Sequence, residues 1–195
     1  MNRFQLKISL KDSKPLIWRR VIVDANLLLE DLHQVIQIVM PWTNSHLHQF
    51  IKGEIIFSIP EEDDENSPWG DFLGGFETVD STNMTISDLL LGEKDKMIYE
   101  YDFGDSWRHA VVVEKILPPS DKGIRAEYVT GKNACPPEDC GGIYGYMDLL
   151  QRLSNPKSED YKWSREWMGL KRGETLDIKE LGFNPDEINK SLSEL

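Results

Sequence analysis

Three short stretches gather most of the side chains in this chain that could hold a metal ion or move a proton. In PWTNSHLHQF, residues 41–50, His46 and His48 lie two apart. On a strand, alternate side chains point the same way, so the two imidazoles would share a face and could share a metal. The competing reading makes one of them a satisfied polar group at a sheet edge, with Leu47 and Phe50 packed inward. In YDFGDSWRH, residues 101–109, Asp102, Asp105 and His109 crowd around Gly104 with Trp107 beside them. Two carboxylates and an imidazole suit a divalent ion, and an Asp–His pair suits a base held in one tautomer. The same residues also suit a tight hairpin whose aspartates accept backbone N–H bonds and whose aromatic rings are core. In ACPPEDCGGIYGY, residues 134–146, Cys135 and Cys140 flank Glu138 and Asp139, and Gly141-Gly142 leads into a helix. A thiol near a helix amino terminus has its thiolate favoured by the dipole, which makes Cys140 a ligand or nucleophile candidate. Against this stands a structured connection in which the acids cap the helix and the thiols are buried as small apolar groups.

Three of the four histidines and both cysteines fall in these stretches. A single surface built from all three would therefore concentrate the chain's metal-binding side chains, and separation would end the idea. The expected motif surface comprises His46, His48, Asp102, Asp105, Trp107, His109, Cys135, Glu138, Asp139 and Cys140. Within it, His46, His48, Asp105 and His109 are the metal candidates, and a divalent metal is the one cofactor these residue types suggest. His33 lies outside the stretches and is expected to be partly exposed. There is no glycine-rich phosphate loop, Gly-x-Ser-x-Gly elbow, His-Glu-x-x-His helix or Cys-x-x-Cys pair.

The elements that must position these residues are legible in outline. Residues 4–10 alternate apolar and polar, residues 16–23 are rich in β-branched and aromatic side chains, and 11–15 carry turn chemistry, so a hairpin is expected. Leu32, Val35, Ile36, Val39 and Met40 lie at helical spacing between residue 28 or 29 and residue 40, with Pro41 as the stop. Residues 47–59 read as two short strands around Lys52-Gly53, and the acidic 61–71 as a loop. A short helix near 86–91 precedes strands at 97–102, 107–117 and 124–129. From 142 onward the pattern is helical, at 144–153, 159–168 and 185–195, with Asn184 as N-cap of the last. Strands, a helix, strands and then helices predict one α+β domain over residues 1–195 with a mainly antiparallel sheet, a helix after the first hairpin and a helical C-terminal part from about 142.

Composition narrows the function. The chain has 195 residues, 39% of them hydrophobic without counting glycine, an ordinary globular balance for a single core. No stretch reaches the roughly 20 apolar residues of a membrane span. Arg3 and Lys7 interrupt the apolar start, unlike a secretory signal, so the expected location is the cytoplasm. Net charge is −12, and it is uneven. Residues 1–20 carry six basic side chains against one acidic, whereas residues 21–105 carry three basic against 18 acidic. That field repels phosphate backbones, so nucleic acid is not an expected partner; only a row of Arg3, Lys7, Lys11, Arg19 and Arg20 on the first hairpin runs against it.

The segments KPLIWRRV (14–21), LEDLHQVIQIVMPW (29–42), SHLHQF (45–50), YEYDFGDSWRHAVVVEKIL (99–117) and ACPPEDCGGIYGY (134–146) together resemble the plasmid pRi third-open-reading-frame-like family, whose members are often labelled transposon passenger proteins. The resemblance runs collinearly from about residue 4 to about residue 187. It implies a compact α+β domain of bacteria and archaea, associated with mobile elements, and no particular reaction. Carried over residue by residue, it marks the ten positions of the motif surface together with Pro136, Gly141 and Gly142. No recombinase serine with its arginine set accompanies the label.

Two functions follow. The first is a non-catalytic binding or interaction module whose aromatic and acidic surface recognises a protein or small ligand. The alternative is a metal-dependent, hydrolase-like enzyme in which His46, His48 and one of Asp102, Asp105 or His109 hold the ion, with Glu138 or Asp139 as base.

Overall fold

Strand β1 (Arg3–Leu10) buries Phe4, Leu6, Ile8 and Leu10 and turns the intervening residues outward, as its period-two pattern requires. It pairs antiparallel with β2 (Trp18–Asp24), from Ser9 opposite Trp18 to Arg3 opposite Asp24. The same alternation on β2 buries Arg19 with Val21 and Val23. A guanidinium on a core face must find acceptors, and Arg19 donates to the carbonyls of Val39 at 2.8 Å, Trp18 at 2.9 Å and Lys132 at 3.1 Å. Burial removes Arg19 from the basic row expected on this hairpin, and Arg20 is engaged by Glu114 at 2.8 Å.

Helix α1 (Leu29–Val39) buries Leu29, Leu32, Val35, Ile36 and Val39 on one face. Pro41 follows it, and the last turn closes with the Met40 N–H on the Ile36 carbonyl. Strands β3 (His48–Lys52) and β4 (Ile55–Ser58) form the expected second hairpin. The computed structural model describes residues 2–60, 77–121, 123–176, 178 and 184–195, so the acidic loop expected at 61–71 lies outside the described residues. Beyond it, β5 (Glu77–Asp80) pairs parallel with β4, an element the sequence reading omits because ETVD is short and almost wholly exposed.

Helix α2 (Ile86–Leu89), which opens with a Thr85–Asp88 capping box, leads to β6 (Lys96–Tyr101), β7 (Trp107–Leu117) and β8 (Ala126–Lys132). Among the described residues, eight strands form one sheet in the order β5-β4-β3-β6-β7-β1-β2-β8, antiparallel except for β4–β5. The chain is thus the expected α+β fold, with a mostly antiparallel sheet. Helices α3 (Gly142–Leu153), α4 (Glu159–Trp167) and α5 (Pro185–Leu192) complete it, and Asn184 caps α5 by accepting the Asp186 N–H at 3.0 Å.

Ile188 and Leu192 of α5 join the same apolar cluster as Leu6, Val35 and Tyr99. Asn189 lies along β8, its Oδ1 accepting the Tyr128 N–H at 2.7 Å and its Nδ2 donating to the Tyr128 carbonyl at 3.3 Å. Among the described residues, no helix is long and apolar enough to cross a membrane.

Candidate functional site

Glu138 ties the three motif stretches together. Its Oε1 accepts the Tyr101 hydroxyl at 2.6 Å, and its Oε2 accepts the Thr43 backbone N–H at 2.9 Å and the Thr43 hydroxyl at 2.7 Å. The Tyr101 hydroxyl accepts in turn from the Ser45 N–H at 2.9 Å. Burial and the adjacent Glu138 carboxylate push the Tyr101 phenol well above its ordinary pKa, so it stays a donor. Trp42 donates from Nε1 to the Pro136 carbonyl at 2.9 Å, stacks on Tyr101 at 5.3 Å, and tilts against Trp107 at 5.6 Å.

The turn at 102–106 is joined just as closely to the start of α3. Asp105 Oδ2 accepts the Gly141 N–H at 3.2 Å. Gly142, at φ +65°, approaches so near that a Cβ there would lie 2.2 Å from the Asp105 carbonyl oxygen. Residues 42–46, 101–107 and 136–142 therefore meet, so parts of the three stretches adjoin, although His48 and His109 of the expected surface lie elsewhere.

Beside this junction is an open hollow of about 450 Å³ lined by Asn44, Ser45, His46, Leu47, Asp102 and Phe103. Asp102 is only 7% exposed. Its Oδ1 accepts the Gly104 and Asp105 N–H groups at 3.0 and 3.3 Å, which leaves Oδ2 directed at His46. His46 Nε2 lies 3.7 Å from that Oδ2 and 3.3 Å from Asp139 Oδ1. At the rim, Leu47 and Phe103 are each about half exposed.

His46 and His48 do not share a site. His46 sits in a bend and β3 begins only at His48, so the alternation argument fails for the pair. His48 stacks on His33 at 3.6 Å with planes 4° apart, and its Nε2 is 3.5 Å from Glu30 Oε2. His33, expected to be partly exposed, is buried at 1% exposure between α1 and the sheet. Its Nδ1 meets the Tyr99 hydroxyl at 2.8 Å and its Nε2 meets Asn44 Oδ1 at 2.7 Å.

His109 and Trp107 face inward from β7, essentially sealed from solvent. The cysteines are free thiols, but burial pushes Cys135 up to about 11, and burial together with Asp105 pushes Cys140 up to about 12. The helix start therefore does not activate Cys140, because desolvation and two nearby carboxylates outweigh the dipole.

Missed by the sequence reading are Tyr101, Thr43, Asn44, Glu30 and His33. The one available signal was the spacing of Tyr99 and Tyr101, which puts both on the same inward face of β6.

The buried imidazoles make a pH prediction. Burial holds His109 down at about 3, and burial plus the neighbouring His33 does the same to His48. The unfolded chain takes up these protons near pH 6.5 and the folded chain near 3, so stability is lost as pH falls through that interval. At about 1.4 kcal/mol per unit, His109 alone contributes a loss of roughly 3 kcal/mol by pH 4.5. Denaturant midpoints between pH 7 and 4.5 should show a flatter decline for His109→Gln than for the parent; parallel declines contradict the assignment.

A family model of the plasmid pRiA4b ORF-3-like proteins matches residues 2–191, which include every side chain of the junction and the hollow. The chain belongs to that family. This pRiA4b ORF-3-like chain is 32% identical over 193 residues to the uncharacterized protein y4hQ of Sinorhizobium fredii, across 98% of this chain and 91% of that relative. Its fold matches the crystal structure of a protein of unknown function, MM3350, from Methanosarcina mazei Go1, with a TM-score of 0.77 and 32% identity over 95% of this chain and 96% of that one.

Proposed function

We propose that this protein is a cytoplasmic recognition module, without a reaction of its own, whose docking face is the hollow beside the Glu138 junction. The observation that carries the reading is an open hollow built by two distant stretches, 44–47 and 102–103, and braced by Glu138 of a third, with Leu47 and Phe103 left exposed at its rim. Its base offers acceptors from Asp102, Asn44 and Ser45, with Asp139 alongside. A fitting partner brings an apolar group to the rim and hydrogen-bond donors or positive charge to the base, as a short peptide with Arg or Lys beside Leu or Phe would.

A hydrolase needs a free base next to its activated water. Of the two acids considered as base, Glu138 has both oxygens committed to three donors and Asp139 has a largely exposed side chain; with His109 sealed as well, this favours recognition over hydrolysis.

Selection from a random hexapeptide library tests the reading. Enrichment of Arg or Lys next to an apolar residue is expected, together with a loss of affinity of about tenfold or more in the Leu47→Ser/Phe103→Ser double variant, since each rim side chain buried is worth roughly 1.5–3 kcal/mol. Enrichment without charge or apolar preference, or undiminished binding by the double variant, would refute it.

A further inference from the structure

We propose that the base of the hollow is a site for a divalent first-row transition ion such as zinc, held by His46 Nε2, Asp102 Oδ2 and Asp139 Oδ1. The three atoms lie together, within 4.8 Å of one another. Zinc bonds to nitrogen and carboxylate oxygen are about 2.1 Å, so ligand atoms of a tetrahedral site are about 3.4 Å apart. The His46 Nε2 separations, 3.3 Å to Asp139 and 3.7 Å to Asp102, bracket that value.

The second observation is the state of Asp102. Although 93% buried by its 7% exposure, it spends only Oδ1 on the backbone of its turn; Oδ2 accepts no hydrogen bond from the described residues and faces the hollow. A carboxylate oxygen left open to the hollow while its partner oxygen is anchored to the backbone is the kind of arrangement that orients a metal ligand. Tyr101 packs edge-on against the His46 ring at 5.7 Å and limits its rotation. Two carboxylates and a neutral imidazole balance a dipositive ion, and three protein ligands leave a coordination position open to the hollow. The imidazole favours a transition ion over magnesium or calcium.

The other cluster, Glu30, His33 and His48, does not serve. Its imidazole planes are stacked 3.6 Å apart, so an ion between them would sit far out of both ring planes, away from the lone pairs. Both nitrogens of His33 are also already hydrogen-bonded.

An ion here would compete with a partner's basic group for Asp102 and Asp139, whereas the apolar rim stays available to either; a metal titration reads the ion alone and does not use peptide binding. Tag-free full-length protein, stripped with chelator, is titrated calorimetrically with zinc chloride, and its cobalt(II) form is examined by visible absorption. Expected are one ion per chain, the intense d–d bands of four-coordinate cobalt, and affinity reduced more than about tenfold by His46→Ala and by Asp139→Asn, since even outer-shell losses reach that size. Asp139 has a largely exposed side chain, so its variant keeps the fold readable. Glu30→Gln should bind as the parent does. Substoichiometric binding, binding unaffected by His46→Ala and Asp139→Asn, or binding lost with Glu30→Gln overturns the assignment.

Discussion

Gly142→Ala is expected to cost about 4 kcal/mol of stability and to disconnect the hollow from the helical part of the chain. Two penalties combine at this residue. A side chain at φ +65° carries the strain of the left-handed region, of order 1 kcal/mol or more. The added Cβ would also lie 2.2 Å from the Asp105 carbonyl oxygen, a backbone atom with no freedom to swing aside, and overpacking of that kind costs typically 1–3 kcal/mol. Relief requires α3 to retreat from the 102–106 turn, which breaks the contact of the Gly141 N–H with Asp105 and moves Asp139 away from His46. Chemical denaturation should show the loss, and amide exchange should rise selectively at residues 102–106 and 141–142. A variant as stable as the parent contradicts the close approach.

Arg19→Met should be comparably damaging, about 4 kcal/mol, although it exchanges a charged side chain for an apolar one of similar length. The guanidinium serves the carbonyl of Val39 at the end of α1, where a cation also complements the helix dipole, and those of Trp18 and Lys132 in the sheet. Methionine restores much of the volume and supplies no donor, so those acceptors remain buried with fewer partners, at roughly 1–3 kcal/mol for each one orphaned. Lysine keeps the charge but loses the planar fork that reaches three carbonyls, and should recover only part of the stability. Thermal unfolding of the parent and the two variants checks the order parent, lysine, methionine; a methionine variant matching the parent shows that the core tolerates those carbonyls unaided.

How far the sequence could be read depended on how local each cause was. The 4–10 alternation, the helical spacing between Leu32 and Met40 and the Asn184 cap are written within a few residues, and the observed β1, α1 and α5 follow them. The parallel strand β5 has no such signature, because four residues, all but Val79 exposed, take their conformation from Ile55–Ser58 of β4. Arg19 on a core face contradicts composition rules and becomes intelligible only with the carbonyls of Val39 and Lys132 beside it. Around the hollow, the motifs point to the stretches that hold Asp102, Glu138 and Asp139, yet the different surroundings of the three depend on distant partners. Glu138 is occupied by Tyr101 and Thr43, 37 and 95 residues away in the chain, and nothing near it announces this. The same holds for His48, whose nearest ring belongs to α1.

The amide of Asn189 on the Tyr128 main chain matters beyond the molecule itself. A terminal strand of a sheet is an invitation to another polypeptide, and self-templated growth begins where unclaimed donors and acceptors lie in a row. By occupying both main-chain groups of one β8 residue, Asn189 imitates the neighbour that would otherwise arrive from a second molecule. The last helix thereby doubles as a stopper against fibrous assembly, so that shortening the chain before residue 184 would threaten solubility as well as stability.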